Sequence, residues 1–229
     1  MLNTQPTVFV IDPDGPTRAA VRELASTMDL QCQEYVSGQE FLEVFDPSRA
    51  GCAVLEVKVP GITGLQIQEA LVRRGATLPV VFLSARPSVS IAVHAMRAGA
   101  LHFFEKPFRE HDLWIAIQEA VQLDEQRRAA RLRAGELEER LGTLTEKEYA
   151  VLEMIAQGKN KRAIATELGV SVRTIEHHRT QLMRKLKTNS LAGLLHVAMS
   201  LGNGHLHNNH MSLASHRALD RNPSWNPVP

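Results

Sequence analysis

Cysteine is scarce in this chain of 229 residues, with only Cys32 and Cys52 present. Two thiols without metal-ligand spacing argue against a disulfide scaffold or a zinc site as the organising principle. Both fall in apolar, strand-like runs and are expected to be buried thiols of a cytosolic protein. Long hydrophobic runs are missing too. No segment approaches the ~20 apolar residues that span a bilayer, so no membrane partner is expected. No signal-peptide pattern opens the chain, which also points to a cytoplasmic location. There is no internal repeat. No nucleophile–base pair, Gly-rich phosphate loop or metal-ligand motif stands outside one acidic pocket described below. The expectation is therefore of a protein that is not an enzyme, with no cofactor and no bound metal.

Net charge is also nearly absent, at +1, but its distribution is uneven. Residues 1–123 carry 10 Lys and Arg against 14 Asp and Glu, whereas residues 143–202 carry 9 against 5. An acidic front half and a basic back half predict a regulatory domain joined to one that binds double-stranded DNA. The basic excess is modest, so adequate affinity points to a homodimer rather than one module. Residues 124–142 hold five charges of each sign, which favours i,i+4 pairing on a helical linker. Leu113, Ile117, Val121, Leu132, Leu137 and Leu141 give this region a partial apolar stripe. A short coiled coil and a bare solvated helix are both compatible with it. The tail, 203–229, is rich in Asn, Gly, Ser, Pro and His and is expected to be disordered. Its His205, His207, His210 and His216 lack a carboxylate or cysteine framework and read as incidental.

Residues 143–202 read as four short helices. Thr145 with Glu148 three positions on is a capping-box signature, followed by Ala150, Val151, Met154 and Ile155 at helical spacing. Gly158 ends that helix, and Asn160 caps a second that carries Ile164, Ala165 and Leu168 and stops at Gly169. Ser171 then caps a third, expected over 171–187. Two helices joined this tightly form a helix-turn-helix. The third is expected to bury Ile175, Leu182 and Leu186 and to expose Arg173, Glu176, His177, Thr180, Arg184 and Lys185. That polar, largely basic face suits phosphate and base-edge contact. The segments LTEKEYAVL, AxxL and SVRTIEHHR resemble the LuxR-type helix-turn-helix of the NarL/FixJ response regulators. The resemblance implies base reading by Glu176, His177 and Thr180. It also implies phosphate contacts from Asn160, Lys161, Ser171, Thr174, Arg179 and Lys185.

Across residues 7–120, strand-like and helix-like segments alternate. Strands are predicted over 7–12, 31–36, 52–57, 78–84 and 102–106, with amphipathic runs over 17–28, 38–45, 65–74 and 89–98 and a long helix from Glu110. Such alternation predicts a doubly wound (βα)5 parallel sheet covered on both faces, followed by an all-α domain. Functional residues of such sheets sit at the carboxyl ends of the strands. Here those ends carry Asp12, Glu56, Ser84 and Lys106. The segments VIDPD, VPGITG, Ser84–Ala85 and AGALHFFEKPF resemble a flavodoxin-like response-regulator receiver. The resemblance implies that Ser84 and Lys106 grip an acyl phosphate, that Phe103 changes rotamer with it, and that the bond before Pro107 is cis.

Two departures stand against that pattern. The phospho-accepting aspartate aligns with Glu56, whose extra methylene displaces the carboxylate from in-line attack. The second acidic residue, which would hold Mg²⁺, aligns with Pro13. Asp14 suits the N-cap of the first helix better than a metal. The residues therefore favour a transcription regulator with an atypical receiver that works without phosphorylation, and a histidine-kinase partner is placed in doubt by the same departures. The alternatives are an ordinary phosphorylation-dependent regulator, or a receiver-like domain sensing a ligand or protein that gates DNA binding. On the first reading Glu56 pairs with Lys106, either mimicking the phosphoryl charge or marking a retained dimerisation scaffold.

Overall fold

A computed structural model describes residues 5–202, so the tail and its histidines lie outside the described residues. The chain divides into two compact units, with the division between Arg133 and Ala134. The first is built on β1 (Thr7–Ile11), β2 (Gln31–Tyr35), β3 (Gly51–Glu56), β4 (Val80–Ser84) and β5 (His102–Glu105). All neighbouring strands are parallel, in the order β2-β1-β3-β4-β5. Between them run α1 (Gly15–Thr27), α2 (Gly38–Val44), α3 (Gly64–Arg73) and α4 (Val89–Arg97), and α5 (Glu110–Gly142) follows β5.

Successive strand side chains point to opposite faces, and here both faces are buried. Phe9, Ile11, Ala53, Leu55, Val80 and Phe82 form one layer with Phe41, Ile67, Leu71 and Ala95 from α2, α3 and α4. Val8, Val10, Cys52, Val54, Val81 and Leu83 form the other with Val21 and Ala25 of α1 and Leu113, Ile117 and Ala120 of α5. This is the doubly wound sheet expected from the alternation. Cys52 is fully buried and Cys32 only partly so. Gly64 opens α3 where a Cβ would meet the Glu56 carbonyl oxygen at 2.4 Å and the Phe82 ring at 2.9 Å. The absent side chain lets the helix start directly against the carboxyl end of β3.

Part of the charged linker is not a bare solvated helix. Asp124 is 1% exposed and accepts hydrogen bonds from Gly51 N–H (2.9 Å), Thr77 Oγ1 (3.3 Å) and Arg128 Nε (2.6 Å). Arg128 also donates to the carbonyls of Ser48 (2.7 Å) and Arg49, while Arg131 reaches the Gly75 carbonyl at 2.7 Å. These bonds hold the middle of α5 to the amino ends of β3 and β4. Leu132, by contrast, is 70% exposed.

The second unit contains the last turns of α5 and then α6 (Glu146–Ala156), α7 (Lys161–Glu167), α8 (Val172–Lys185) and α9 (Leu191–Gly202). Its core gathers Val151, Leu152, Ile155, Ile164, Ile175, Leu182, Leu186 and Leu194, with Leu137 and Leu141 of α5 packed against it. Thr145 and Glu148 complete a reciprocal capping box on α6, and Asn160 and Ser171 cap α7 and α8. The tight turn between α7 and α8 passes through Gly169 at φ +65°, a left-handed conformation that glycine adopts freely. α8 ends two residues earlier than expected, because Leu186 is its C-cap and Lys187 turns to φ 51°.

Asp124→Ala is expected to destabilise the first unit by about 2–4 kcal/mol, since it strips a buried N–H and a guanidinium of their shared acceptor. Leu132→Ala, at an exposed position, is expected to change stability by less than about 0.5 kcal/mol. Urea denaturation of the full chain, followed through the first unit's transition, checks both.

Candidate functional site

The strand ends converge as the alternation requires. Asp12 follows β1, Glu56 and Ser84 close β3 and β4, and Lys106 follows β5. Asp12 and Ser84 are 1% exposed and Glu56 is 5% exposed. The Lys106 ammonium sits between the two carboxylates, 2.5 Å from Asp12 Oδ2 and 3.0 Å from Glu56 Oε2. Glu56 also accepts the backbone N–H of Lys58 on Oε1 and that of Ala85 on Oε2, each at 3.2 Å. Its longer arm thus reaches across to β4 and β5 and binds three donors.

Asp12 accepts Asp14 N–H at 2.9 Å on its other oxygen. Burial pushes the Asp12 carboxyl above its usual range, against the opposing pull of Lys106 and Asp14 N–H. Burial works against the Lys106 charge, but bonds to both carboxylates prevail and hold its pKa above the ordinary lysine value. Ser84 Oγ accepts Arg86 N–H at 3.3 Å. Phe103 is half-buried, with its ring centroid 5.9 Å from that of Phe82. The Lys106–Pro107 bond is cis.

The residues present do not fit a resident Mg²⁺. Pro13 brings no carboxylate, and its carbonyl accepts from Arg18 at 3.1 Å. The Asp14 carboxylate caps α1, accepting Thr17 N–H at 3.1 Å and Thr17 Oγ1–H at 2.7 Å. These bonds also hold the Asp14 carboxyl below its usual range. The remaining two carboxylates share one ammonium, and among the described residues no group of three or more His, Cys, Asp or Glu is placed to hold a metal. Arg18, which also donates to the Asp12 carbonyl at 2.8 Å, was not singled out from sequence. Its position on the first turn of α1 beside the acidic loop was the available signal.

On the second unit, α8 presents Glu176, His177 and Thr180 to solvent, with Arg173 and Arg184 beside them. Thr180 Oγ1 donates to the Glu176 carbonyl at 2.9 Å. Ser171 and Asn160 use their side-chain oxygens as caps, Ser171 for Thr174 N–H and Asn160 for the N–H groups of Arg162 and Ala163. Lys161 Nζ lies 2.5 Å from Glu176 Oε1. Arg179 is half-buried, and its Nε lacks a hydrogen-bond partner.

Lys185 corrects an expectation. It is not on the open face: it is 23% exposed, and its ammonium donates to Glu148 Oε2 at 2.6 Å and to the Thr143 carbonyl at 2.9 Å. Burial opposes the charge on Glu148, but the bonds from Lys185 and Thr145 outweigh it and hold that carboxyl below its usual range. One turn beyond the half-buried Gln181, Lys185 stands at the edge of the buried side of α8, where its ammonium meets the Glu148 carboxylate of α6.

Comparison with known proteins identifies both units. Residues 8–118 match the response regulator receiver domain, and residues 142–198 match the bacterial regulatory proteins of the luxR family. The response regulator protein TodT of Pseudomonas putida is 34% identical over 194 residues, covering 85% of this chain and 86% of that protein. The transcriptional regulatory protein FixJ of Azorhizobium caulinodans is 33% identical over 195 residues, covering 85% and 92%. Among solved structures, the response regulator StyR superposes with a TM-score of 0.77 at 37% identity, covering 86% of this chain and 99% of that one. Full-length FixJ from B. japonicum gives 0.54 at 30% identity, covering 87% and 98%. A receiver domain followed by a luxR-family helix-turn-helix, in relatives aligned along most of both chains, makes this protein a DNA-binding transcriptional response regulator of the LuxR/FixJ type.

Proposed function

We propose that this regulator binds DNA as a homodimer without phosphorylation of its receiver, because Glu56 holds the pocket in the arrangement a phosphoryl group would otherwise impose. The observation that carries this reading is the set of bonds around its carboxylate. One side chain neutralises Lys106 and accepts the N–H groups of Lys58 and Ala85, which spans the ends of β3, β4 and β5. A phosphoryl group on a shorter acid would meet the same needs: negative charge for the ammonium and acceptors for backbone donors. Phosphoryl transfer depends on positioning and on metal-borne charge. Both are poorly served where Glu56 is already bonded and Pro13 replaces a metal ligand.

In the second unit, α8 enters the major groove and reads base edges through Glu176, His177 and Thr180. Asn160, Lys161, Ser171, Thr174 and Arg179 contact phosphates. A carboxylate accepts from cytosine N4, while imidazole and hydroxyl groups serve either as donors or as acceptors.

The test is capture of fragmented genomic DNA by the untreated full-length protein. Recovery of a shared two-fold motif, with no gain on adding Mg²⁺ and a phosphoryl mimic, is the expected result. Diffuse recovery that sharpens only with the mimic overturns phosphorylation independence. Glu56→Gln is expected to weaken dimerisation and DNA affinity together by about tenfold, roughly the 1.4 kcal/mol of one charge-assisted hydrogen bond. Unchanged dimerisation and affinity would remove the phosphoryl-mimic role and leave a scaffold.

His177→Ala is expected to alter base preference at one position of the motif by about 1–3 kcal/mol. Lys185→Ala behaves differently. It leaves Glu148 buried without its cation and is expected to destabilise the second unit by about 3 kcal/mol. The salt slope of DNA binding stays unchanged, because Lys185 releases no counterion. Denaturation of the full chain and binding titrations at several KCl concentrations separate the two effects.

A further inference from the structure

Lys161 opens α7 and Glu176 lies in the second turn of α8, so their ion pair bridges the two helices of the helix-turn-helix. Both side chains are about half exposed, at 47% and 52%. Packing does not need the bond, since Ile164, Ala165 and Ile175 already join the helices in the core. An exposed pair of this kind shifts an equilibrium by only about two- to fivefold, so competing partners can displace it. The Lys161 hydrogen bond holds the Glu176 carboxyl below its usual range.

DNA offers competitors for both ends of this bond. A phosphate oxygen competes with Glu176 for the ammonium. A cytosine N4 amino group competes with Lys161 for the carboxylate, but only where the sequence places one within reach. We propose that the Lys161–Glu176 pair is an exchangeable lock on sequence reading: at a matching site Glu176 turns to a base donor and frees Lys161 for a phosphate, whereas on other DNA the two remain together. This inference rests on the reading of α8 as the base-reading helix.

The exchange couples base recognition to backbone affinity. Without its base donor, Glu176 facing the phosphates alone is repelled, and Lys161 is kept to neutralise it. A mismatch therefore loses a phosphate contact as well as a base contact. Specific binding uses one more phosphate contact than non-specific binding, a difference of about 0.9 in the salt slope of log K.

The experiment is a double-mutant cycle on the full-length protein with Glu176→Gln, Lys161→Met and the double variant. Each is titrated across KCl concentrations against a duplex selected by the wild type from a random library, and against a scrambled duplex. Glu176→Gln is expected to tighten binding to the scrambled duplex about threefold and to steepen its salt slope by about 0.9. The steepening vanishes in the Lys161→Met background, where only relief of repulsion remains, and that difference exposes the coupling. Lys161→Met alone is expected to flatten the slope on the selected duplex and leave that on the scrambled one unchanged. Equal steepening by Glu176→Gln in both backgrounds would overturn the lock and reduce Glu176 to a repelling charge, and no steepening in either background overturns it too. Failure of the base-reading assignment is separately visible: a random-library selection with Glu176→Gln would then return the wild-type motif.

Discussion

Two carboxylates buried at neighbouring strand ends require a cation, and that requirement governs the first unit. Asp12 and Glu56 are buried at the carboxyl ends of a parallel sheet that has helices on both faces. Desolvated carboxylates persist as charges only when paired and hydrogen-bonded. Lys106 supplies the pairing, and the N–H groups of Asp14, Lys58 and Ala85 supply the rest. The consequence is geometric. Four loops following β1, β3, β4 and β5 are tied to one ammonium and two carboxylates, so a change at any member reaches all of them. Glu56 matters through reach: its side chain carries the charge from the end of β3 toward β4 and β5.

The same logic recurs at two places away from the pocket. Asp124 is buried against the amino end of β3 and is satisfied by Arg128, Thr77 and Gly51 N–H. Glu148 is buried under α8 and is satisfied by Lys185 and by the Thr145 cap. In each case an acidic group fixes a joint between elements distant in sequence. Removing one partner leaves a buried charge unpaired, which is why such joints are stiffer than their net energy implies.

Much of the fold was legible because its signals are local. Dense apolar runs marked β1, β3 and β4, and Thr145, Asn160 and Ser171 marked helix starts that the structure places within a residue. The pocket was legible as well, since Asp12, Glu56, Ser84 and Lys106 each close or directly follow a strand and strand ends of a doubly wound sheet converge. What escaped depends on pairing across long sequence separations. Lys185 lies at the border between the buried and open sides of α8, and only the fold reveals that Glu148 waits 37 positions earlier. Asp124 sits in a stretch whose balanced charges read equally well as solvated. Its partner Gly51 lies 73 positions away, beyond the reach of any periodicity argument. Arg18 was hidden for another reason, because it binds carbonyl oxygens, which no sequence pattern displays.

Burial separates the structural ion pairs from the one at the candidate DNA face. Asp12–Lys106, Asp124–Arg128 and Glu148–Lys185 each bury the acid almost completely, so water does not compete for it. Lys161–Glu176 leaves both partners about half exposed, where water, salt and phosphate all compete. A regulator needs both kinds. Its folded joints must hold while ionic conditions vary, and its reading surface must release side chains to a ligand that is itself a polyanion. Placing charge pairs by depth achieves this with one chemistry, because the dielectric around a pair sets how readily a competitor displaces it.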